Sequence, residues 1–208
     1  MTALDIPLLV KLSYTAFMVV LIPVYLTRYG WTNFLYFCDI ALLLTLAGLW
    51  LESPLLISMC AVGLLAPQTL WVADFIANLF GLRTTGLTNY MFEAHRSRFL
   101  RGLSLFHGWL PFLLLYLVWE MGYDSRALLA WTALSCVVLP VCYLLMPPAQ
   151  PDPGMTPVNI NLVWGFDDRA PQTWMSPNAW FALLFFGLPL AIYWPTHLLL
   201  QYFFRPAG

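Results

Sequence analysis

Apolar residues fall into six long runs along this chain, separated by short clusters of charge, proline and glycine. A bilayer core takes about 20 apolar residues per helix, and residues 6–26, 33–51, 54–80, 99–119, 127–146 and 178–204 meet that length. The pattern predicts an all-α polytopic membrane protein. It would be a single transmembrane domain over residues 1–208, a bundle of six helices with short loops and one long proline-rich loop. The third and sixth runs exceed the need, so tilting or kinking is expected, at Pro67 in one and at Pro189 and Pro195 in the other. Glu52-Ser53-Pro54 is the tightest connection and predicts an antiparallel hairpin of the second and third helices.

Two connections are longer, 81–98 and 147–177. The first contains Leu87-Thr88-Asn89-Tyr90-Met91-Phe92, which suits an interfacial helix. The second contains Val158-Asn159-Ile160-Asn161-Leu162-Val163-Trp164-Gly165-Phe166. Its polar–apolar alternation suits a short strand or a segment lying on the membrane surface, ordered as a lid.

Composition narrows the class further. Hydrophobic residues make up 61% of the 208, aromatic residues 17% and charged residues 9%, and the mean hydropathy is +0.76. Soluble domains carry roughly a quarter charged residues, so a water-soluble globule is excluded, as are disordered and fibrous chains. A formal net charge of -1 leaves no basic stripe for nucleic acid. The four cysteines lie in apolar runs with neither C-x-x-C nor zinc-finger spacing. The first run lacks a basic leader and is longer than a signal-peptide core, so it is expected to remain as the first membrane helix. Trp31, Trp50, Trp119 and Trp194 stand at run ends as interface anchors.

With six spans, Arg28, Arg83, Arg96, Arg98, Arg101 and Arg169 fall on one side and Lys11, Arg126 and Arg205 on the other. The positive-inside rule then places the 81–98 and 147–177 connections in the cytoplasm and both termini outside. The short loops and the absence of a transit-like leader suit a bacterial inner membrane.

Charge inside the runs is the main pointer to chemistry, because an intramembrane carboxylate must be paired, protonated or hydrated. Asp39 and Asp74 each lie about 9 Å, and His107 about 12 Å, from the same membrane side at 1.5 Å per residue. The spacing therefore predicts convergence of all three at one level. Ser104, His107, Gly108 and Pro111 form a small polar face on the fourth run. Tyr36, Asn78 and Tyr143, with Asn159 and Asn161 of the long loop, are candidate cavity or lid residues. Ser104 and Asn78 taken singly also suit ordinary hydrogen bonds between helices. Near the other side, Lys11 is expected to snorkel toward an acid, and His197 to bond a neighbouring carbonyl.

Three functions suit this pattern. The first is an intramembrane hydrolase or acyl transferase acting on a lipid-like substrate. His107 would be the base, oriented by Asp39 or Asp74, with a water, Ser104 or Cys38 as nucleophile. In its metal version Asp39, Asp74 and His107 would ligate a divalent ion such as zinc. The second is a proton-coupled carrier or channel using the same cluster as a relay. The third is a scaffold whose Arg-rich 81–98 loop meets anionic lipid headgroups or a partner. Membrane lipids are the expected partners throughout.

The run Asn33-Phe34-Leu35-Tyr36-Phe37-Cys38-Asp39-Ile40-Ala41-Leu42-Leu43-Leu44 carries a resemblance, together with Leu103-Ser104-Leu105-Phe106-His107 and Pro195-Thr196-His197-Leu198-Leu199-Leu200. It resembles a family of uncharacterised bacterial polytopic integral membrane proteins over most of the chain, which implies architecture only. The layout is also similar to the androgen-induced-protein type of intramembrane lipid hydrolase, which pairs a threonine on helix 2 with a histidine on helix 4. Cys38 and Asp39 stand at the threonine's level here.

Overall fold

The computed structural model describes residues 6–82, 84–93 and 96–207. Its helices are α1 (Leu8–Arg28), α2 (Phe37–Leu51), α3 (Pro54–Leu79), α4 (Arg98–Ser104), α5 (Phe106–Met121), α6 (Ala127–Leu145), α7 (Pro177–Gly187) and α8 (Trp194–Phe203). A π-helical segment, Leu188–Tyr193, joins α7 to α8, and short 3-10 turns cover Trp31–Leu35, Asn89–Phe92 and Ile160–Leu162. Counting α4–α5 and α7–α8 as one passage each, five helical stretches are long and apolar enough to cross a membrane, and α2 is a shorter apolar sixth. The chain is an all-α, membrane-embedded bundle.

Local chemistry sets the starts. Ser53, Ser97 and Ser176 each accept the main-chain N–H three residues on, from Leu56, Leu100 and Ala179. Pro54 and Pro177 occupy the first helical position, where no N–H is needed. The expected hairpin is present. α2 ends at Glu52 in a left-handed conformation (φ 48°), and Ser53 N–H donates to the Gly48 carbonyl at 3.0 Å before α3 begins.

α3 is the central element, packed against α2, α5, α6 and α8. Trp131 of α6 lies fully buried on the Gly63 backbone, and a Cβ on Gly63 would sit 1.9 Å from the indole. Small residues let membrane helices approach in this way. On the face holding the 52–53 turn, the tail returns to the α5–α6 connection. Tyr123 N–H donates to Arg205 O at 2.8 Å, and Ala207 N–H to Tyr123 O at 3.0 Å. Gly122 (φ 83°) is required there, since its Cβ would meet Ala207 Cα at 2.8 Å.

Four expected elements differ from the sequence pattern. The fourth run is not one helix, because Gly108 N–H bonds the Leu105 carbonyl at 2.9 Å instead of that of Ser104. His107 Nδ1–H takes over the Ser104 carbonyl at 2.7 Å, so the imidazole holds the break between α4 and α5. In the sixth run the expected kink is a π-helical widening. There Trp194 N–H reaches back five residues to Pro189 O, while Pro195 has no N–H to give.

The second run begins as a 3-10 turn, and α2 itself has 15 residues, about 22 Å at 1.5 Å per residue. The long loop packs against the start of α2. Its segment 158–166 is neither strand nor surface segment but a plug, turned by left-handed residues Asn159, Asn161 and Leu162. Ile160 and Val163 are fully buried against Leu139 and Cys142 of α6.

Candidate functional site

Asp74 lies at the loop-rich end of α3, where the sequence Thr84-Thr85-Gly86-Leu87-Thr88 folds back over it. Its Oδ1 accepts from the Thr84 hydroxyl, from Thr85 N–H and Oγ1 (both 2.8 Å) and from Gly86 N–H (3.2 Å). Its Oδ2 accepts from Thr88 N–H (2.9 Å), Thr88 Oγ1 (2.6 Å) and Asn78 Nδ2 (3.2 Å). Asn78 also donates to Thr88 Oγ1 at 2.8 Å. A carboxylate so fully engaged has no lone pair left for a substrate or a metal. Asp74 is the latch that fastens the 84–88 segment to α3.

Asp39 is the opposite case. It sits in the first turn of α2, 3% exposed, and its Oδ2 accepts one bond from Asn33 Nδ2 at 2.8 Å. Its Oδ1 is buried without a hydrogen-bond partner among the described residues. Tyr25 of α1 and Tyr36 lie within electrostatic reach of this carboxyl. Tyr25 donates its hydroxyl to Ser104 Oγ at 3.2 Å, since that oxygen spends its own proton on Leu100 O. Trp71 of α3, with its Nε1 also buried and unpartnered among the described residues, stacks on His107 at 4.7 Å between centroids. The Tyr90 phenol lies near the Trp71 indole and the Ser104 hydroxyl. Thus α1, α2, α3, α4 and the Asn89–Phe92 turn contribute to one hydroxyl-rich region near Asp39.

The expected triad is not assembled. Asp39, Asp74 and His107 each bond to different neighbours, and His107 reaches the Ser104 carbonyl instead of its hydroxyl. No group of three His, Cys, Asp or Glu side chains among the described residues could hold a metal ion. The shared metal on Asp39, Asp74 and His107 is therefore corrected, because the lone pairs of Asp74 are consumed by threonines. Cys38 is half-buried against the apolar core.

The proposed lid residues turn out to be fasteners. Tyr36 OH donates to Val158 O at 3.2 Å. Asn161 accepts from Phe37 N–H at 2.9 Å, capping α2 across the chain, and donates to Leu35 O at 2.8 Å. Asn159 donates to Gly165 O at 2.9 Å and accepts from Trp164 N–H at 2.8 Å, closing its own turn. Tyr143 donates to Asn178 at 2.7 Å and stacks between Trp164 and Phe181.

The sequence pattern puts Trp71 on one face with Asp74 and Asn78, but it does not single out Tyr25, Asn33 or Tyr90 for the site. Only Asn33, a lone amide six residues before an intramembrane acid, offered a signal. On the opposite face Lys11 pairs with Glu52 as expected, and His197 pairs with the Tyr123 hydroxyl at 2.6 Å instead of a carbonyl. Between the spans there, Arg126 grips both oxygens of Asp124 and holds its carboxyl below the ordinary range. No family model matches this chain, and neither a curated protein nor a solved structure does.

Proposed function

We propose that the protein is a carrier or channel that conducts protons, in which Asp39 binds and releases the transported proton. The observation that carries this reading is Asp39 Oδ1, buried in a residue 3% exposed and without a hydrogen-bond partner among the described residues, whereas both oxygens of Asp74 are fully engaged. Buried polar atoms are nearly always satisfied, so each exception calls for an explanation. An intramembrane acid is by default functional. A carboxyl held through one oxygen by Asn33, with the other unpartnered among the described residues and two phenols within electrostatic reach, suits a group that alternates between protonated and ionised states. The basic excess of the 81–98 and 147–177 connections orients this end toward the cytoplasm under the positive-inside rule.

The test is a pH jump across proteoliposomes containing an entrapped pH dye. Wild type should equilibrate its lumen faster than empty liposomes, and Asp39→Asn should match the empty control. Equal rates in wild type and Asp39→Asn would remove the reading.

A second reading keeps the lipid hydrolase with His107 as base. It is favoured by the Nδ1–H bond to Ser104 O, which leaves Nε2 as the basic nitrogen. Labelling of Ser104 or Cys38 by an acyl-directed probe, lost in His107→Phe, would support it.

A further inference from the structure

The cations of the two membrane faces are satisfied differently. On the face of the 52–53 turn, Lys11 pairs with Glu52 and Arg126 with Asp124, while Arg205 donates to Glu120 O at 2.6 Å. On the loop-rich face, Arg96 and Arg169 share Glu93, and Arg96 also lies over the Tyr29 and Tyr90 rings. Arg28, Arg98 and Arg101 have no carboxylate partner among the described residues.

The helix register places these three arginines at the same end of neighbouring helices. The Tyr25–Ser104 bond at 3.2 Å ties α1 to α4 near their loop-rich ends. Arg28 lies three residues beyond Tyr25 along α1, and Arg101 three residues before Ser104 along α4. Both therefore stand about 4.5 Å nearer the membrane surface than that bond, on facing helices. Arg98 lies one turn further out on the face of Arg101. Arg101 is half-buried with one Nη donating to Met91 O at 3.2 Å, which holds its head at this level. Arg28 and Arg98 are exposed. The surroundings are greasy: Leu26, Trp31, Phe99 and Leu105 are all exposed, at 46%, 65%, 57% and 44%. A cation cluster rimmed by exposed apolar and tryptophan side chains is a headgroup-level surface of a membrane protein.

We propose that Arg28, Arg98 and Arg101 form a binding site for the headgroup phosphate of an anionic phospholipid, whose acyl chains lie along Leu26, Phe99 and Leu105. Guanidinium groups match phosphate geometry and hydrate weakly, and the apolar rim selects a lipid over a soluble anion. The site is independent of the proton chemistry assigned to Asp39.

The test titrates detergent-solubilised full-length protein with fluorescent-tailed phosphatidylglycerol, and with phosphatidylcholine of the same chains. Phosphatidylglycerol should bind more tightly. Arg98→Gln and Arg101→Gln should each weaken it about fivefold, the factor for one basic residue at an anionic surface, and the pair about 25-fold. Arg126→Gln on the opposite face should leave binding unchanged. Helix content by circular dichroism and phosphatidylcholine binding check that the variants remain folded. Should the double variant not fold, the exposed Arg98→Gln alone decides. Binding of phosphatidylglycerol by the variants within twofold of wild type would overturn the proposal. So would equal affinity for phosphatidylcholine, or displacement of the lipid by inorganic phosphate at the same concentration.

Discussion

Replacing Asp74 with alanine separates a latch from a reactive group. Thr88 is fully buried and directs both its N–H and its hydroxyl at Asp74 Oδ2. Losing the carboxylate strands those two donors away from water, at about 1–3 kcal/mol each. Thr84 and Thr85 are exposed, so their groups recover bonds to solvent at little cost. The structure thus predicts a loss of about 2–6 kcal/mol for Asp74→Ala, large among single substitutions. Unfolding by SDS titration from mixed micelles would measure it, and limited proteolysis should open first within residues 84–88. Stability within about 1 kcal/mol of wild type, with the connection still protected, would refute the latch.

Asp39→Asn should behave oppositely, keeping a polar partner for Asn33 and removing a buried ionisable group. Its unfolding free energy should stay within about 1 kcal/mol of wild type, measured in the same titration while proton flux is lost. Gly63→Ala should destabilise by about 1–3 kcal/mol, because the new methyl overlaps the Trp131 indole faster than helix propensity can compensate. The Asp124–Arg126 pair adds a pH dependence. The folded value of Asp124 is depressed, so its contribution is full above the ordinary aspartate value of about 3.9. It is lost as pH falls from there through the lower folded value. Melting temperatures measured against pH should show this acid-side loss in wild type and less of it in Asp124→Asn.

The helical class was legible because apolar runs of bilayer length have few other readings, and the hairpin at 52–54 because serine and proline mark a helix start. The break after Ser104 was not, since it depends on a histidine ring claiming a carbonyl that the next turn would otherwise take. Nor was the plug at 158–166. Alternating polar and apolar residues fit a strand, yet Asn159 and Asn161 use their amides to close turns and cap α2 from 124 positions away. The sequence marks both intramembrane aspartates as unusual but treats them as equals. What divides them is the threonine-rich segment after α3, an acceptor's worth of donors that only folding brings onto Asp74.

The division between the two acids is tested most directly by an infrared difference titration over pH on membranes containing wild type, Asp39→Asn and Asp74→Asn. Asp39 as the proton-exchanging group predicts a carboxyl band that changes with pH in wild type, persists in Asp74→Asn and vanishes in Asp39→Asn. A difference spectrum unchanged by Asp39→Asn, or a loss of that band in Asp74→Asn, would contradict it.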